Sequence, residues 1–221
     1  YAVVAYQTAY LKYYYPREFM AALMTSIMDN VTKVSEYILA CRNMGIGILP
    51  PDINEGVSGF SVSGNSIRYG LSAIKSVGRA VVDVIISERE TGGPFSTLED
   101  FVSRMSNREV NKRTLESFIK SGSLDSLPGT RKQKLYVSSE LLENKAREKK
   151  TVMEGQMSFF DIAPEEDKGN FQVSFPDVGE FDKETLLAFE KETLGIYVSG
   201  HPMEAYQELW QKNVTARTSG F

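Results

Sequence analysis

Apolar residues recur at helical spacing along most of this 221-residue chain. Near the start, Tyr6, Ala9, Tyr10, Tyr13 and Tyr14 fall three or four positions apart, Pro16 interrupts them, and Phe19, Leu23, Met24 and Ile27 resume the period. Two helices are predicted between residue 1 and about residue 29, with Pro16 in the first turn of the second, where a missing N–H costs nothing. At this spacing the tyrosines read as a core-facing stripe. Another amphipathic helix runs from Lys33 to about Met44, with Val34, Ile38, Leu39 and Cys41 turned inward and Gly45 as its stop.

The period then changes. Ile46 to Asn54 carries two consecutive prolines and reads as an extended connector, because a residue before proline is pushed out of the helical region. Phe60 to Val62 and Ile67 to Tyr69 alternate around Gly64-Asn65, the signal of a small β-hairpin. Short helices follow at about 71–76, 79–90, 97–104, 111–120 and 131–150, broken at Gly92–Pro94, Ser121–Ser123 and Pro128-Gly129. Residues 151–181 lose the period and read as a surface linker, partly mobile. Asp182 then caps a helix from Lys183 to Glu192, and Pro202 opens a last helix through Trp210. The predicted fold is mainly α, with short helices, one β-hairpin and an extended linker.

Composition narrows the classes. The single cysteine, Cys41, excludes an intramolecular disulfide framework and fits a reducing cytoplasm. One histidine and one cysteine leave no His/Cys metal cluster. The apolar opening is too short to cross a bilayer and lacks the features of a signal peptide, so no membrane role is expected. With Tyr1 in place of an initiator Met and Phe221 in a polar run, both ends read as cut. The net charge of -4 is unevenly spread: residues 102–150 hold 12 Lys and Arg against 6 Asp and Glu, whereas residues 151–221 hold 5 against 13. The basic middle is the one stretch with a phosphate-facing field.

That field coincides with a motif. Leu71 to Ile85 resembles a helix-hairpin-helix, in which two short helices flank a tight turn whose backbone N–H groups, with the start of the second helix, meet a DNA phosphate. Here the turn is Ser76-Val77-Gly78, serine standing where the motif prefers the first glycine. Val77 is expected to point inward, and Lys75 and Arg79 have the right sign. A second, divergent copy from Arg113 to Asp125 turns at Ser121-Gly122-Ser123, with Lys112, Arg113 and Lys120 as its charges and Arg131, Lys132 and Lys134 just beyond. Such contacts hold a duplex without reading its sequence. Packing hairpins without DNA are the plainer reading of either copy, and stacking on bases is the other reading of the early tyrosines.

The peptide Gln156-Met157-Ser158-Phe159-Phe160 lies in the acidic linker, where two adjacent phenylalanines belong to no predicted element. Exposed, they are a liability. An anchor for another protein resolves this, two large apolar side chains filling a pocket while the glutamine amide fixes register. The pattern resembles the pentapeptide by which bacterial polymerases and repair proteins bind the sliding clamp, with phenylalanine at 159 where leucine is preferred.

Ordered blocks extend the resemblance to nearly the whole chain: Tyr15-Pro-Arg-Glu-Phe-Met-Ala-Ala22, Ile48-Leu-Pro-Pro-Asp-Ile-Asn54, Tyr69-Gly-Leu-Ser-Ala-Ile-Lys75, Val110-Asn-Lys-Arg113, Glu190-Lys-Glu-Thr-Leu-Gly195 and Ser199-Gly-His-Pro202. Together they resemble the alpha, polymerizing subunit of bacterial DNA polymerase III. The resemblance implies that residues 1–44 end a fingers region and 45–150 form a clamp-binding and duplex-binding domain. It further implies that 151–181 are a linker with the clamp peptide, and that 182–221 lead into an oligonucleotide-binding-fold domain, against which the acidic tail is expected to pack. Implied partners are duplex DNA, the sliding clamp, the rest of the polymerase chain and other replisome subunits. The family's catalytic aspartates and their Mg2+ fall upstream of Tyr1, so no cofactor and no activity are expected of this segment alone. A standalone repair enzyme or a protein scaffold is the competing reading. Asp83 lies too early after the turn for a glycosylase's catalytic aspartate.

Overall fold

Helices form where apolar period and end-capping coincide. The computed structural model describes residues 1–105, 110–153 and 174–214. Helix α1 (Ala2–Tyr14) leads to α2 (Pro16–Ser26), with Pro16 at its first turn as predicted. In α3 (Val31–Asn43) the Asn30 side chain accepts the N–H of Lys33, and Gly45 ends the run at a φ of 74°. Buried positions recur as Met20, Ala21 and Met24 in α2 and as Val34, Ile38 and Cys41 in α3.

Two expectations fail in this first part. Leu39 is 59% exposed, because one residue beyond Ile38 turns the side chain about 100° off the buried stripe. No residue of α1 is buried. Its rings instead stack along one another, Tyr6 to Tyr10 at 6.4 Å and Tyr10 to Tyr14 at 4.5 Å between centroids. The period is that of a helix, but α1 packs against α2 without entering the core.

The predicted hairpin forms as β2 (Ser61–Ser63) and β3 (Ser66–Arg68), antiparallel, with Gly64 at positive φ in the turn. The extended connector expected before it contains a third strand, β1 (Gly47–Leu49), parallel to β3 with Ile48 opposite Ile67. The strand order is β1-β3-β2. Four helices come next: α4 (Arg79–Gly92), α5 (Leu98–Met105), α6 (Lys112–Lys120) and α7 (Arg131–Met153). The helix expected at 71–76 is only a 3-10 turn at Leu71–Ala73. Lys75 donates its N–H to the carbonyl of Thr193, far along the chain, instead of continuing the helix.

One hydrophobic cluster runs from Met20 to Ile196, and no break in packing falls at residues 44/45. Its centre is a chain of edge-to-face rings, Phe95 on Phe101 at 5.2 Å and Phe101 on Phe118 at 5.9 Å. Burying a side chain of this size contributes about 1.5–3 kcal/mol.

Residues 182–198, after the expected linker, pack on this core. Helix α8 (Lys183–Thr193), capped by Asp182, packs on α6 and buries Leu187, Glu190 and Thr193, while Leu194 and Ile196 join the main cluster. Tyr69 donates its hydroxyl to the carbonyl of Leu194, and Arg42 reaches the carbonyl of Tyr197. Even residues 174–181, read as linker, are tied down: the Glu180 carboxylate accepts the N–H groups of Arg131 and Lys132 at the start of α7. Beyond them lie a 3-10 turn, Pro202–Tyr206, and α9 (Gln207–Asn213). No helix among the described residues is long and apolar enough to cross a membrane.

Candidate nucleic-acid interface

The first turn is built as the sequence predicts, with one residue under strain. Val77 packs inward, 7% exposed, and its N–H bonds the carbonyl of Ile74. Ser76 adopts a φ of 66°, the only positive value for a non-glycine residue among those described. A side chain in that region costs about 1–2 kcal/mol, which is why the motif prefers glycine there. Thr114 of α6 donates its hydroxyl to the Ser76 carbonyl, 3.4 Å away.

Gly78 is the N-cap of α4, extended at φ -78° and ψ 148°, with no side-chain cap. A Cβ there would meet nothing within 4 Å, so the backbone is open from outside. The first turn of α4 therefore offers uncapped amides beside the exposed Arg79, with no acidic residue in that turn. Helix α6 differs, its start capped by the Asn111 side chain through the Thr114 N–H at 2.9 Å. Yet Lys112 and Arg113, both exposed, crowd that positive helix end. Cations placed there oppose the helix dipole by roughly 0.3–1 kcal/mol each, a cost that an external anion would relieve.

The two basic clusters meet. Lys75 and Ser76 from the first turn and Arg113 and Lys120 from α6 line one cleft of about 410 Å³. Among the described residues, Lys75, Arg79, Lys112 and Arg113 form no ion pair with a carboxylate. Lys120 does: its ammonium donates to both oxygens of Glu192, at 3.1 and 3.2 Å. Glu116 and Glu192 are the acidic members of the cleft, and neither was anticipated. The only sequence signal for Glu192 was its place within the block Glu190 to Gly195.

The second turn is placed differently from its expectation. Ser121, Gly122 and Ser123 are all buried. Gly122 and Ser123 donate their N–H groups to Ile119 and Phe118, and both serine hydroxyls bond the Phe118 carbonyl. Gly122 is needed twice over: its φ is 80°, and a Cβ would lie 2.2 Å from the Arg131 guanidinium. Facing inward, Gly122 offers no backbone to a phosphate.

Arg131 and Lys134, expected to extend the basic surface, are locks on this turn. Arg131 bonds Asp125 and the Lys120 carbonyl and lies 3.9 Å from buried Glu190. Burial opposes its charge most strongly, but Asp125, Glu190 and Glu180 together outweigh that and raise its pKa above the ordinary value. Lys134 is fully buried and donates to the carbonyls of Leu124 and Leu127, each at 2.8 Å. Loss of solvent pulls its pKa below the usual lysine value.

The peptide Gln156, Met157, Ser158, Phe159 and Phe160 lies outside the described residues. Nor do the described residues fit the Mg2+ implied for a whole polymerase: no group of three or more His, Cys, Asp or Glu among them is placed to hold a metal ion.

A family model for the helix-hairpin-helix motif matches residues 45–134, the stretch that holds both turns and the basic side of the cleft. The DNA polymerase III subunit alpha of Borreliella burgdorferi is 43% identical over 208 residues, which are 94% of this chain and 18% of the relative. That of Thermus aquaticus is 42% identical over 209 residues, 95% of this chain and 16% of the relative. That of Vibrio cholerae is 39% identical over 98% of this chain and 19% of its own length. The chain thus spans less than a fifth of the length of these curated relatives, and over that span it is similar to the bacterial DNA polymerase III subunit alpha.

Proposed function

We propose that this chain is a noncatalytic segment of a replicative DNA polymerase, which grips the duplex backbone and ties the polymerase to its sliding clamp. The observation that carries the reading is the uncapped, open α4 start, with Lys75 and Arg79 exposed beside it and Arg113 lining the same cleft as Lys75, none of the three paired with a carboxylate among the described residues. Uncapped amides at a helix start suit one phosphate, and the surrounding cations suit its neighbours along the strand. Nothing in this arrangement reads bases, so binding is independent of sequence. Clamp tethering is assigned to Gln156–Phe160 on its pattern alone. Residues 1–44 are assigned to the end of a fingers region, and the cytoplasm is the expected compartment. The segment carries out no phosphoryl transfer by itself.

One experiment with two arms tests this in the full-length polymerase chain. Lys75→Glu with Arg79→Glu weakens duplex binding by about the same factor on every sequence and flattens its salt dependence by roughly 0.9 per lost phosphate contact. Unchanged duplex affinity sinks the cleft. In the second arm, alanine at Gln156, Phe159 and Phe160 abolishes capture by the clamp while duplex binding persists. Retained capture sinks the tether alone.

A further inference from the structure

Resting on that reading of the cleft, we propose that Glu192 is its electrostatic gate: it occupies Lys120 with an ion pair that an incoming DNA phosphate must break. The geometry sets Lys120 apart from its neighbours. Its ammonium is held by both Glu192 oxygens and lies 5.2 Å from the centre of the Phe189 ring, so α8 supplies both contacts. The lysine side chain is 23% exposed and the glutamate side chain 59%, which places the acid on the solvent side. A phosphate approaching Lys120 therefore meets a negative charge first.

The gate cannot simply drift aside with its backbone. The next residue, Thr193, is buried and its carbonyl accepts the N–H of Lys75, the residue before the strained Ser76. Release of Lys120 thus requires the Glu192 side chain alone to swing into solvent, and its high exposure leaves room for that. Glu116 adds a second negative charge to the same cleft. With the gate shut, a phosphate is confined to the α4 start, beside Lys75 and Arg79. With it open, Lys120 becomes a further contact. An ion pair this exposed is weak, so the gate is a light one that tunes affinity and does not prevent binding.

The test measures duplex dissociation constants for the full-length chain across a salt series. Glu192→Gln tightens binding roughly two- to five-fold at low salt, the range set by an exposed ion pair, and steepens the plot of log affinity against log salt by about 0.9. Glu192→Asp, which keeps the charge, stays close to the original protein. Adding Lys120→Gln to Glu192→Gln removes both gains, since the freed lysine is their source. The gate is overturned if Glu192→Gln leaves affinity and slope unchanged, or weakens binding, while Lys75→Glu with Arg79→Glu still reduces it. Should that double variant have no effect either, the duplex cleft itself fails and the gate falls with it.

Discussion

The turns at Ser76–Gly78 and Ser121–Ser123 start from nearly the same ingredients, small residues between helical runs with lysine and arginine on either side, and end in opposite settings. At the first, Gly78 faces open space and Lys75 and Arg79 stand exposed. At the second, the backbone amides are spent within the turn, and Arg131 and Lys134 close over it. The difference lies in where the next helix begins. Helix α4 starts directly after Gly78, so its amides project outward, whereas no helix starts after Ser123 until Arg131. Basic residues beside a glycine turn therefore have two uses: to meet an outside anion, or to satisfy carbonyls and carboxylates within the fold.

The largest effect is expected at the closed turn. Gly122→Ala places a Cβ against the Arg131 guanidinium and in a left-handed backbone, and lowers unfolding stability by about 2–4 kcal/mol in urea denaturation. An unchanged midpoint would show that the second turn is not locked. At the open turn the same class of change runs the other way. Ser76→Gly removes a strained φ at the cost of a more flexible unfolded chain, for a net gain of roughly 0.5–1 kcal/mol and no loss of duplex affinity.

A smaller effect comes from pH. The pKa of Lys134 is lowered in the fold, so between that value and the ordinary lysine value the unfolded chain binds more protons. Stability then rises with pH through this window, as the buried charge is relieved, and the benefit is lost as pH falls through the folded pKa. Urea midpoints at about pH 8 and about pH 10 should show this rise in the original protein relative to Lys134→Met, which has no such proton to lose.

The sequence announced what local chemistry decides. Pro16, Asn30, Gly45 and Asp182 mark helix ends where the structure has them, and the alternation around Gly64-Asn65 is a hairpin. It stayed silent where distant residues decide. Strand β1 exists through a parallel partner about twenty positions on, and the Leu71 turn stops short because Lys75 bonds Thr193. Exposure was the hardest property to read. The α1 tyrosines keep a helical period yet remain outside, and Arg131 and Lys134 carry charge yet lie inside. At the candidate interface, Lys75, Val77, Gly78 and Arg79 were legible from the motif, but Glu192 reaches the cleft only because α8 returns to α6.

That return has a mechanical side. Phe175 packs on Gly129, just before α7, and Glu180 holds the first N–H groups of that helix. The chain thus comes back, after α7, to the point where α7 began. Pulling on the chain ahead of residue 174 therefore loads the start of α7 before it reaches α8. Such a fastening shields the packing of α8 on α6 from tension applied further up the chain.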